Sequence, residues 1–301
     1  MQSYWQNLPR HFKINVVKLL DPKSRLCLSL CSKSDYEVTT AAPFFFNDVS
    51  FVKILQDMRF VNCFIPNHLC RISKHQFSFE TAISSFSNLV KHSKSRISHL
   101  CFSMDYGSEE FYSMLITKLE EKKLKVHAKK LTFHWIITES LEPLVLKLLG
   151  FVDAEVLTTL HFSSPFAETF LNQLKRTEKW KNVSGVSMDV GMLQNVNLND
   201  FFDLNQLHLK GFKNLHDDDK VNIIENFKRR NPPLPNSFFI VSQISKNHRM
   251  AIDTRTKVEE HELQSAGLKL SVEFLEKEIR GRVIGNGQDL SFDQLLYQMY
   301  T

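Results

Sequence analysis

Apolar residues at the start of the chain recur with the period of an α-helix. One stripe has its members at i, i+4, i+7 and i+8, namely Phe12, Val16, Leu19 and Leu20. Leu8-Pro9 precedes the stripe, and proline is tolerated in the first turn of a helix, where its missing N–H leaves no bond unmade. Asp21-Pro22 then ends this helix and starts a second one, which carries Leu26 and Leu30 at i, i+4.

A third short helix is predicted between Ser32, a suitable N-cap, and Pro43. Residues 1–46 therefore form a module of short helices. A unit of this size buries little apolar core on its own. Such a module usually needs a partner surface, and Leu8-Pro9 with the aliphatic stripe is available to meet one.

These helices and the prolines between them resemble an F-box, in the form found in the large nematode F-box families. The resemblance is carried by Leu8, Pro9, Val16, Val17, Leu19, Leu20, Asp21, Pro22, Ser24, Arg25, Leu26, Leu30, Cys31, Ser32 and Lys33. It implies docking on the Skp-type adaptor of a cullin–RING ubiquitin ligase. It also implies an adaptor-binding set made of Leu8, Pro9, Val16, Val17, Leu19, Leu20, Leu26 and Leu30. An ordinary N-terminal helical hairpin without a partner is the alternative.

The chain differs from many F-boxes at two points. Arg10-His11 stands where an acidic residue often follows the Leu-Pro pair. Ser34-Asp35-Tyr36 stands near the end of the module, where many F-boxes have a tryptophan. The strength of adaptor binding is therefore a quantity to measure.

A second pattern begins near residue 100, where short strands alternate with helices. Strands of the form apolar-x-apolar are predicted at residues 100–102, 131–133, 160–162, 186–188 and 207–209. The strand–helix unit returns at intervals of roughly 20–30 residues, which is typical of a leucine-rich-repeat-like solenoid. Stacked repeats bury strand faces that a single repeat leaves exposed. An ordinary open α/β sheet built from the same units is the alternative.

The segments that flank these repeats are predicted to be rich in β-strands. Before the repeats, strands are predicted at 49–55, 59–65, 69–72 and 76–79, followed by a helix at 80–93. After a proline run at 231–235, strands are predicted at 238–241, 250–253, 268–274 and 280–284, with a short helix from Phe292. The predicted fold class is α+β or α/β, with an N-terminal three-helix F-box, an irregular leucine-rich-repeat-like solenoid and a C-terminal β cap. The corresponding domains are 1–46, 47–235 and 236–301.

From about residue 48 onward the chain resembles the FTH domain, a domain of unknown function that follows the F-box in those nematode families. The resemblance rests on the strand–helix architecture and on strands such as residues 131–133 and 160–162. It implies that this region recruits a target protein. No residue-level binding site comes with the resemblance.

Polar positions within the repeat strands predict a binding face. Alternate residues of a strand face opposite sides of a sheet, so the residue between two core positions faces solvent. Stacked repeats bring such positions together, and repeat proteins commonly bind partners there. The candidate target-binding face comprises Thr132, His134, His161, Ser187, Asp189, His208 and Lys210. A face that binds nothing, or that another segment covers, is the alternative.

Histidines on one face of a sheet can also bind a metal ion or act in acid–base catalysis. No carboxylate stands at a fixed spacing to orient His134, His161 and His208. Cys63 and Cys70 lack the tight pairing of zinc ligands. We therefore predict no metal and no catalytic residue.

Composition narrows the remaining function classes. The 301 residues are 43% apolar and 24% charged, as in ordinary globular proteins, and no GxGxxG or P-loop pattern indicates a cofactor. A net charge of +5 permits weak attraction to anionic partners but does not require nucleic acid. The basic end of residues 120–130 could bind RNA or DNA, but it is more typical of a solvated helix terminus. There is no signal pattern and no apolar run of membrane length, so 5 cysteines fit the reducing cytoplasm or nucleus.

With the F-box resemblance, the sequence predicts a non-catalytic substrate receptor of an SCF-type ubiquitin ligase. Its expected partners are the Skp-type adaptor, the cullin reached through that adaptor, and a target protein. No cofactor and no membrane are expected. The alternative is a non-catalytic interaction scaffold or weak nucleic-acid-binding protein without a role in a ligase.

Overall fold

The computed structural model describes most of the chain, with gaps. The described residues are 4–20, 22–54, 57–63, 78–104, 108–134, 139–191, 193, 196–212, 215–229, 237–243, 257–263, 268–275, 278–284 and 290–300. They form two compact units. The first unit contains Met1–Lys129 and Lys147–Val156, and the second contains Lys130–Leu146 and Leu157–Thr301. No described helix is long and apolar enough to cross a membrane.

The first unit opens with the predicted short helices. They are α1 (Arg10–Lys18), α2 (Pro22–Ser29) and α3 (Lys33–Ala41). Ser32 caps α3 as expected, because its hydroxyl oxygen accepts a hydrogen bond from the backbone N–H of Asp35 at 3.1 Å. The small core of the module consists of buried Val17, Val38 and Ala42, with Trp5, Ile14, Leu20 and Leu28 packed against it.

A buried arginine joins these helices to the chain that follows them. The Arg25 guanidinium donates to the carbonyl oxygens of Ala42 and Pro43, at 3.3 and 3.0 Å. Its carbon lies 4.2 Å from the centre of the Phe44 ring, close enough for a cation–π contact. Burial lowers the pKa of Arg25 to about 10, so the side chain stays charged at neutral pH.

The rest of the first unit packs helices on a small sheet. Its strands are β1 (Phe45–Ile54), β2 (Asp57–Cys63) and β3 (Arg96–Ser103), and its main helices are α4 (Phe79–Val90) and α5 (Glu109–Glu121). β1 pairs antiparallel with β2 and parallel with β3. In the core, the Phe51 ring stacks on Phe102 at 5.3 Å and meets the edge of Phe86 at 5.2 Å.

The structure agrees only in part with the strands predicted before the repeats. β1 and β2 correspond to the first two predicted strands. The predicted strand 69–72 lies outside the described residues, as do residues 76 and 77. Phe79, predicted to end a strand, is instead the first residue of α4, because Ser78 provides the N-cap for that helix.

The first of the five predicted repeat strands, 100–102, lies in β3 of the first unit. The other four lie in the second unit, where the strand predicted at 238–241 joins them in one parallel series. They are β4 (Ala128–His134, from Lys130 onward), β5 (Thr159–Phe162), β6 (Gly185–Asp189), β7 (Gln206–Phe212) and β8 (Phe238–Gln243). Helical segments connect them: α6 (Glu142–Gly150, as far as Leu146), α7 (Glu168–Lys175), α8 (Glu178–Asn182), a 3-10 turn (Leu198–Phe201) and α9 (Asp217–Arg229). Each strand pairs with the next one along the chain. One row of register partners is Thr132, His161, Ser187, His208 and Ile240.

An antiparallel meander completes the sheet of the second unit. It consists of β9 (Lys257–Glu262), β10 (Lys269–Phe274) and β11 (Glu278–Ile284). β11, the last of these strands, pairs with β8, so the order continues as β8-β11-β10-β9. The predicted pair at 268–274 and 280–284 is confirmed, whereas the predicted strand 250–253 lies outside the described residues.

The last helix, α10 (Phe292–Tyr300), packs on one face of this sheet. Ser291 and Gln294 form a capping box at its start, with hydrogen bonds of 2.7 and 3.2 Å. The helix buries Phe292, Leu295 and Met299 against Phe238 and Ile240 of β8. At its other end, the Lys130 ammonium donates to the carbonyl oxygen of Gln298. α10 therefore crosses the face that carries Lys130 and Ile240.

Candidate functional site

The predicted adaptor-binding residues separate into a surface set and a core set. Leu8, Pro9, Val16, Leu19 and Leu30 are exposed, and Leu19 and Leu30 are 84% and 79% exposed. Val17, by contrast, is 0% exposed and belongs to the core of the module. Leu20 is half-buried and packs against that core. Leu26 lies in α2, and its side chain lies outside the described part of the chain.

Helical geometry explains why Val17 departs from the predicted set. Consecutive residues of a helix point about 100° apart, so Val16 and Val17 cannot share one face. Val17 points toward α3, where Val38 lies, and Val16 points to solvent. Val17 supports the surface from beneath and is not itself available to a partner.

An aromatic residue outside the predicted set belongs to this surface. Phe12 is 56% exposed and stands one turn before Val16. Phe12 and Val16 of α1, with Leu19 at its C-cap, form an exposed apolar strip, which we call the α1 stripe (Phe12, Val16 and Leu19). The i, i+4, i+7 spacing was visible in the sequence. Exposed apolar side chains grouped in this way are typical of a protein-binding surface.

A partly buried hydrogen bond holds the segment that precedes the α1 stripe. The Trp5 indole N–H donates to an Asp35 carboxylate oxygen at 2.6 Å, and the Ser32 hydroxyl donates to the other oxygen at 2.7 Å. These two bonds, with a smaller contribution from the charge of Lys13, lower the pKa of Asp35. The carboxylate thus fixes Trp5 against α3, three residues before Leu8-Pro9.

The predicted target-binding face is only partly open. Thr132, Ser187 and His208 are 3%, 2% and 5% exposed, so the prediction that they face solvent is wrong. We attribute this burial to α10, which packs on the same face and contacts Lys130 of β4 and Phe238 and Ile240 of β8. Isolated strand patterns do not reveal a covering helix that comes from far along the chain.

His208 is held uncharged beneath this cover. Its Nδ1 lies 3.3 Å from the Ser187 hydroxyl oxygen, within hydrogen-bonding distance. Burial lowers the pKa of His208 to about 3, and the charges of Lys210, His161 and Arg280 act in the same direction. The imidazole is therefore neutral at physiological pH.

Beside this buried row, the strand ends leave an open cavity of about 170 Å³. It is lined by His161, Phe162, Ser163, Ser187, Met188, Asp189 and Lys210. His161, Ser187, Asp189 and Lys210 were in the predicted set, so the structure brings these four together. Ser163 was outside that set, although it follows His161 at the alternate position that faces the same side.

The remaining predicted residue, His134, lies next to the cavity. Its ring contacts that of His161 edge-on, with centroids 5.4 Å apart. Within the described part of the chain, no group of three or more His, Cys, Asp or Glu side chains is arranged to hold a metal ion. The cavity offers an ammonium, a carboxylate, hydroxyls and imidazole, which are suited to binding a polar side chain.

The structure thus defines a class of protein with a small helical docking module before a strand–helix domain that carries a polar cavity. Comparison with known families identifies both parts. The chain matches the F-box domain over residues 5–47 and the FTH domain over residues 109–253. The chain therefore contains an F-box domain and an FTH domain, the combination that an F-box plus FTH protein has. No curated protein sequence matches it significantly.

The two matches cover the two candidate surfaces. The α1 stripe lies within the F-box match, and the cavity lies within the FTH match. F-box domains typically bind Skp-type adaptors, and F-box proteins are in general non-catalytic substrate adaptors of ubiquitin ligases.

Proposed function

We propose that this protein is a substrate-recognition subunit of an SCF-type cullin–RING ubiquitin ligase, acting in the cytoplasm or nucleus. The F-box docks on the Skp-type adaptor, which connects it to the cullin, and the FTH domain recruits the target. The protein itself performs no chemistry in this proposal. It raises the effective concentration of a target lysine near the ubiquitin carrier.

The observation that carries the proposal is the α1 stripe within the F-box match. Phe12 and Leu19 are 56% and 84% exposed, although the module has a core of its own in which to bury apolar residues. Fully burying a side chain of this size contributes about 1.5–3 kcal/mol. The entropy lost on association offsets part of this free energy, and the remainder stabilises the complex with the adaptor.

Replacing apolar side chains of the α1 stripe with charged or polar ones should therefore weaken docking. We expect Phe12→Asp with Leu19→Gln to weaken binding of the full-length chain to the purified Skp-type adaptor on the order of 100-fold, as measured by calorimetry. Both side chains are exposed, so the melting temperature should stay near that of the wild type.

Val221→Asp is the matched control, since Val221 is also 56% exposed and lies on α9, far along the chain from the F-box. It should leave adaptor binding unchanged. Equal weakening by both variants, or no weakening by the stripe variant, would refute docking through α1. A wild-type chain that binds no adaptor at all would favour the alternative of an interaction scaffold without a role in a ligase.

We further propose that the second unit is a leucine-rich-repeat-like array. β4 to β8 are parallel and pair strictly in chain order. A doubly wound α/β sheet reverses its strand order at a switch point, and no reversal occurs within this series. Sequential pairing is what stacked strand–helix repeats produce, although the final meander departs from it.

We propose the open part of the sheet face as the surface that binds the target. Of the predicted residues it retains His134, His161, Asp189 and Lys210 at or near the surface. Thr132 and His208 are excluded from contact by their burial. Binding at strand ends is common in sheets of this kind, because the connecting loops can vary while the strands hold the side chains in place.

A further inference from the structure

The cavity is shaped by a bulge in β7. The register between β7 and β8 shifts between Leu209 and Phe212, and Gly211 has a φ of 85°. A Cβ atom at Gly211 would lie 2.7 Å from Asp189 Oδ1 and 2.8 Å from the Gly191 nitrogen, so only glycine fits this approach. The bulge brings Lys210 to the rim of the cavity, where it is exposed.

Asp189 and Lys210, the two charged residues of the cavity, differ in the contacts that they make. Asp189 Oδ1 accepts a hydrogen bond from the Gly191 N–H at 2.9 Å and contacts the bulge, so this oxygen shapes the loop. Lys210 is the register partner of Asp189, yet no ion pair joins these two described residues. An exposed ammonium therefore stands at the rim without a carboxylate bound to it in the described part of the chain.

Several cationic groups lie around the cavity. Burial is the main cause of the lowered pKa of His208, and the charges of Lys210, His161 and Arg280 act in the same direction. The Lys210 ammonium and the His161 ring line the cavity, whereas the Ser163 hydroxyl donates to the carbonyl oxygen of Phe133 at 3.3 Å. Positive charge around a cavity favours an anionic ligand over a cation.

We infer that this cavity receives the carboxylate of an acidic side chain from the recruited protein, with Lys210 as its charged contact. The inference rests on the proposed role of the FTH domain as the target-binding part. A single ammonium pairs with one negative charge and therefore suits a carboxylate, whereas a phosphate dianion would leave one charge unpaired beside Asp189. The volume of about 170 Å³ is suited to one side chain and excludes a larger folded element.

The test uses a small probe and the full-length protein. N-acetyl-glutamate N-methylamide is titrated into the protein, and the His161 imidazole signal is followed by NMR. We expect a saturable shift, with the uncharged N-acetyl-glutamine N-methylamide binding at least about tenfold more weakly. Lys210→Gln should reduce binding of the glutamate probe by about the same factor, while Lys122→Gln, an exposed control after α5, leaves it unchanged.

Each other outcome counts against the inference. Equal binding of the two probes would show that charge is not recognised. Tighter binding of inorganic phosphate would assign the site to a dianion, and tighter binding of N-acetyl-arginine N-methylamide would assign it to a cation that pairs with Asp189. Full binding by Lys210→Gln would remove Lys210 from the site. Because Lys210 is exposed, we expect Lys210→Gln to leave the melting temperature unchanged. An unchanged melting temperature shows that a loss of probe binding in this variant does not come from misfolding.

The probe experiment contains no adaptor, so its result is separate from that of the docking experiment. A chain that binds the adaptor but not the probe would overturn only the inference about the cavity. A chain that binds the probe but not the adaptor would overturn only the proposed ligase role.

Discussion

Gly281 of β11 faces an aromatic ring across the strand pair that joins β11 to β8. Its register partner is Phe239, and a Cβ atom at Gly281 would lie 2.2 Å from Cε1 of that ring. The ring cannot move away easily, because Phe239 is 0% exposed and packs 4.8 Å from the ring of Phe227. We expect Gly281→Ala to lower the free energy of unfolding by about 1–3 kcal/mol, as measured by urea denaturation.

Two comparisons separate this clash from a general effect of replacing glycine. Gly150→Ala should change stability by less than about 0.5 kcal/mol, since no atom beyond its own neighbours in α6 lies within 4 Å of its Cβ position. Phe239→Leu should make the additional cost of Gly281→Ala smaller, because the smaller side chain vacates the space. A strictly additive double mutant would show that the ring is not the cause.

Asp35 links the stability of the F-box to pH. Its pKa is lowered from 3.8 chiefly by the hydrogen bond from Trp5. A carboxyl group whose folded pKa is depressed contributes stability above its unfolded pKa, and that contribution is lost as pH falls through the folded value. We expect Trp5→Phe to cost about 1–2 kcal/mol near pH 7, with the difference from the wild type shrinking below pH 4.

The free energy of unfolding measured between pH 2 and pH 7 checks this expectation. Asp35→Asn is the control, because it removes the titrating group and should flatten this part of the pH dependence. A Trp5→Phe deficit that is constant across the whole pH range would instead indicate lost packing of the indole.

Residue-level predictions from sequence succeeded where local geometry decides the outcome. Phe12, Val16 and Leu19 share a helix face by their spacing, and the structure leaves that face exposed. Val17 and Gly281 depend on what other elements bring to them. No local pattern reveals that Val38 lies against Val17, or that the ring of Phe239 lies over Gly281.

At the scale of elements, α10 decides how much of the sheet face a partner can reach. Leu295 is 3% exposed and belongs to the cluster that holds α10 on β8. Leu295→Ala should cost about 2–5 kcal/mol of the packing that holds the helix in place. With α10 loosened, His208 gains access to water, and its pKa should rise from about 3 toward 6.5.

An NMR titration of the His208 imidazole measures this change directly. Tyr297→Ala serves as the control on the same helix, because Tyr297 is 68% exposed and should leave the pKa of His208 depressed. An unshifted pKa in a Leu295→Ala protein that is still folded would mean that other elements bury His208.

β4 to β7 were predictable because each carries its own apolar-x-apolar signal, whereas β9 (Lys257–Glu262), which is mostly charged, was not predicted. The order of the meander was not predictable either, since β9 and β11 are both candidates for pairing with β8 on local pattern alone. The choice of β11 depends on the fit between Gly281 and Phe239, which only the assembled sheet displays. The position of α10 is a long-range outcome of the same kind.

At the scale of the whole molecule, the sequence predicted the two domains and their order along the chain better than the surfaces that those domains expose. The F-box and the FTH domain are both present, as the resemblance implied. The target-binding face was predicted from strand periodicity, and burial reduces it to a cavity with flanking residues. Periodicity assigns residues to sides of a sheet, whereas accessibility depends on everything that packs on that side.

The strand order has a consequence for the way the second unit folds. β5 to β8 can each add to a neighbour that precedes it directly along the chain, so the array can grow by contacts that are short in sequence. The meander differs, because it meets β8 through β11, its last strand, and cannot attach until that strand exists. Closing this longer loop costs more chain entropy than any step before it. The seam between β8 and β11 is therefore where a slow folding step, or pairing with a strand from another molecule, would arise.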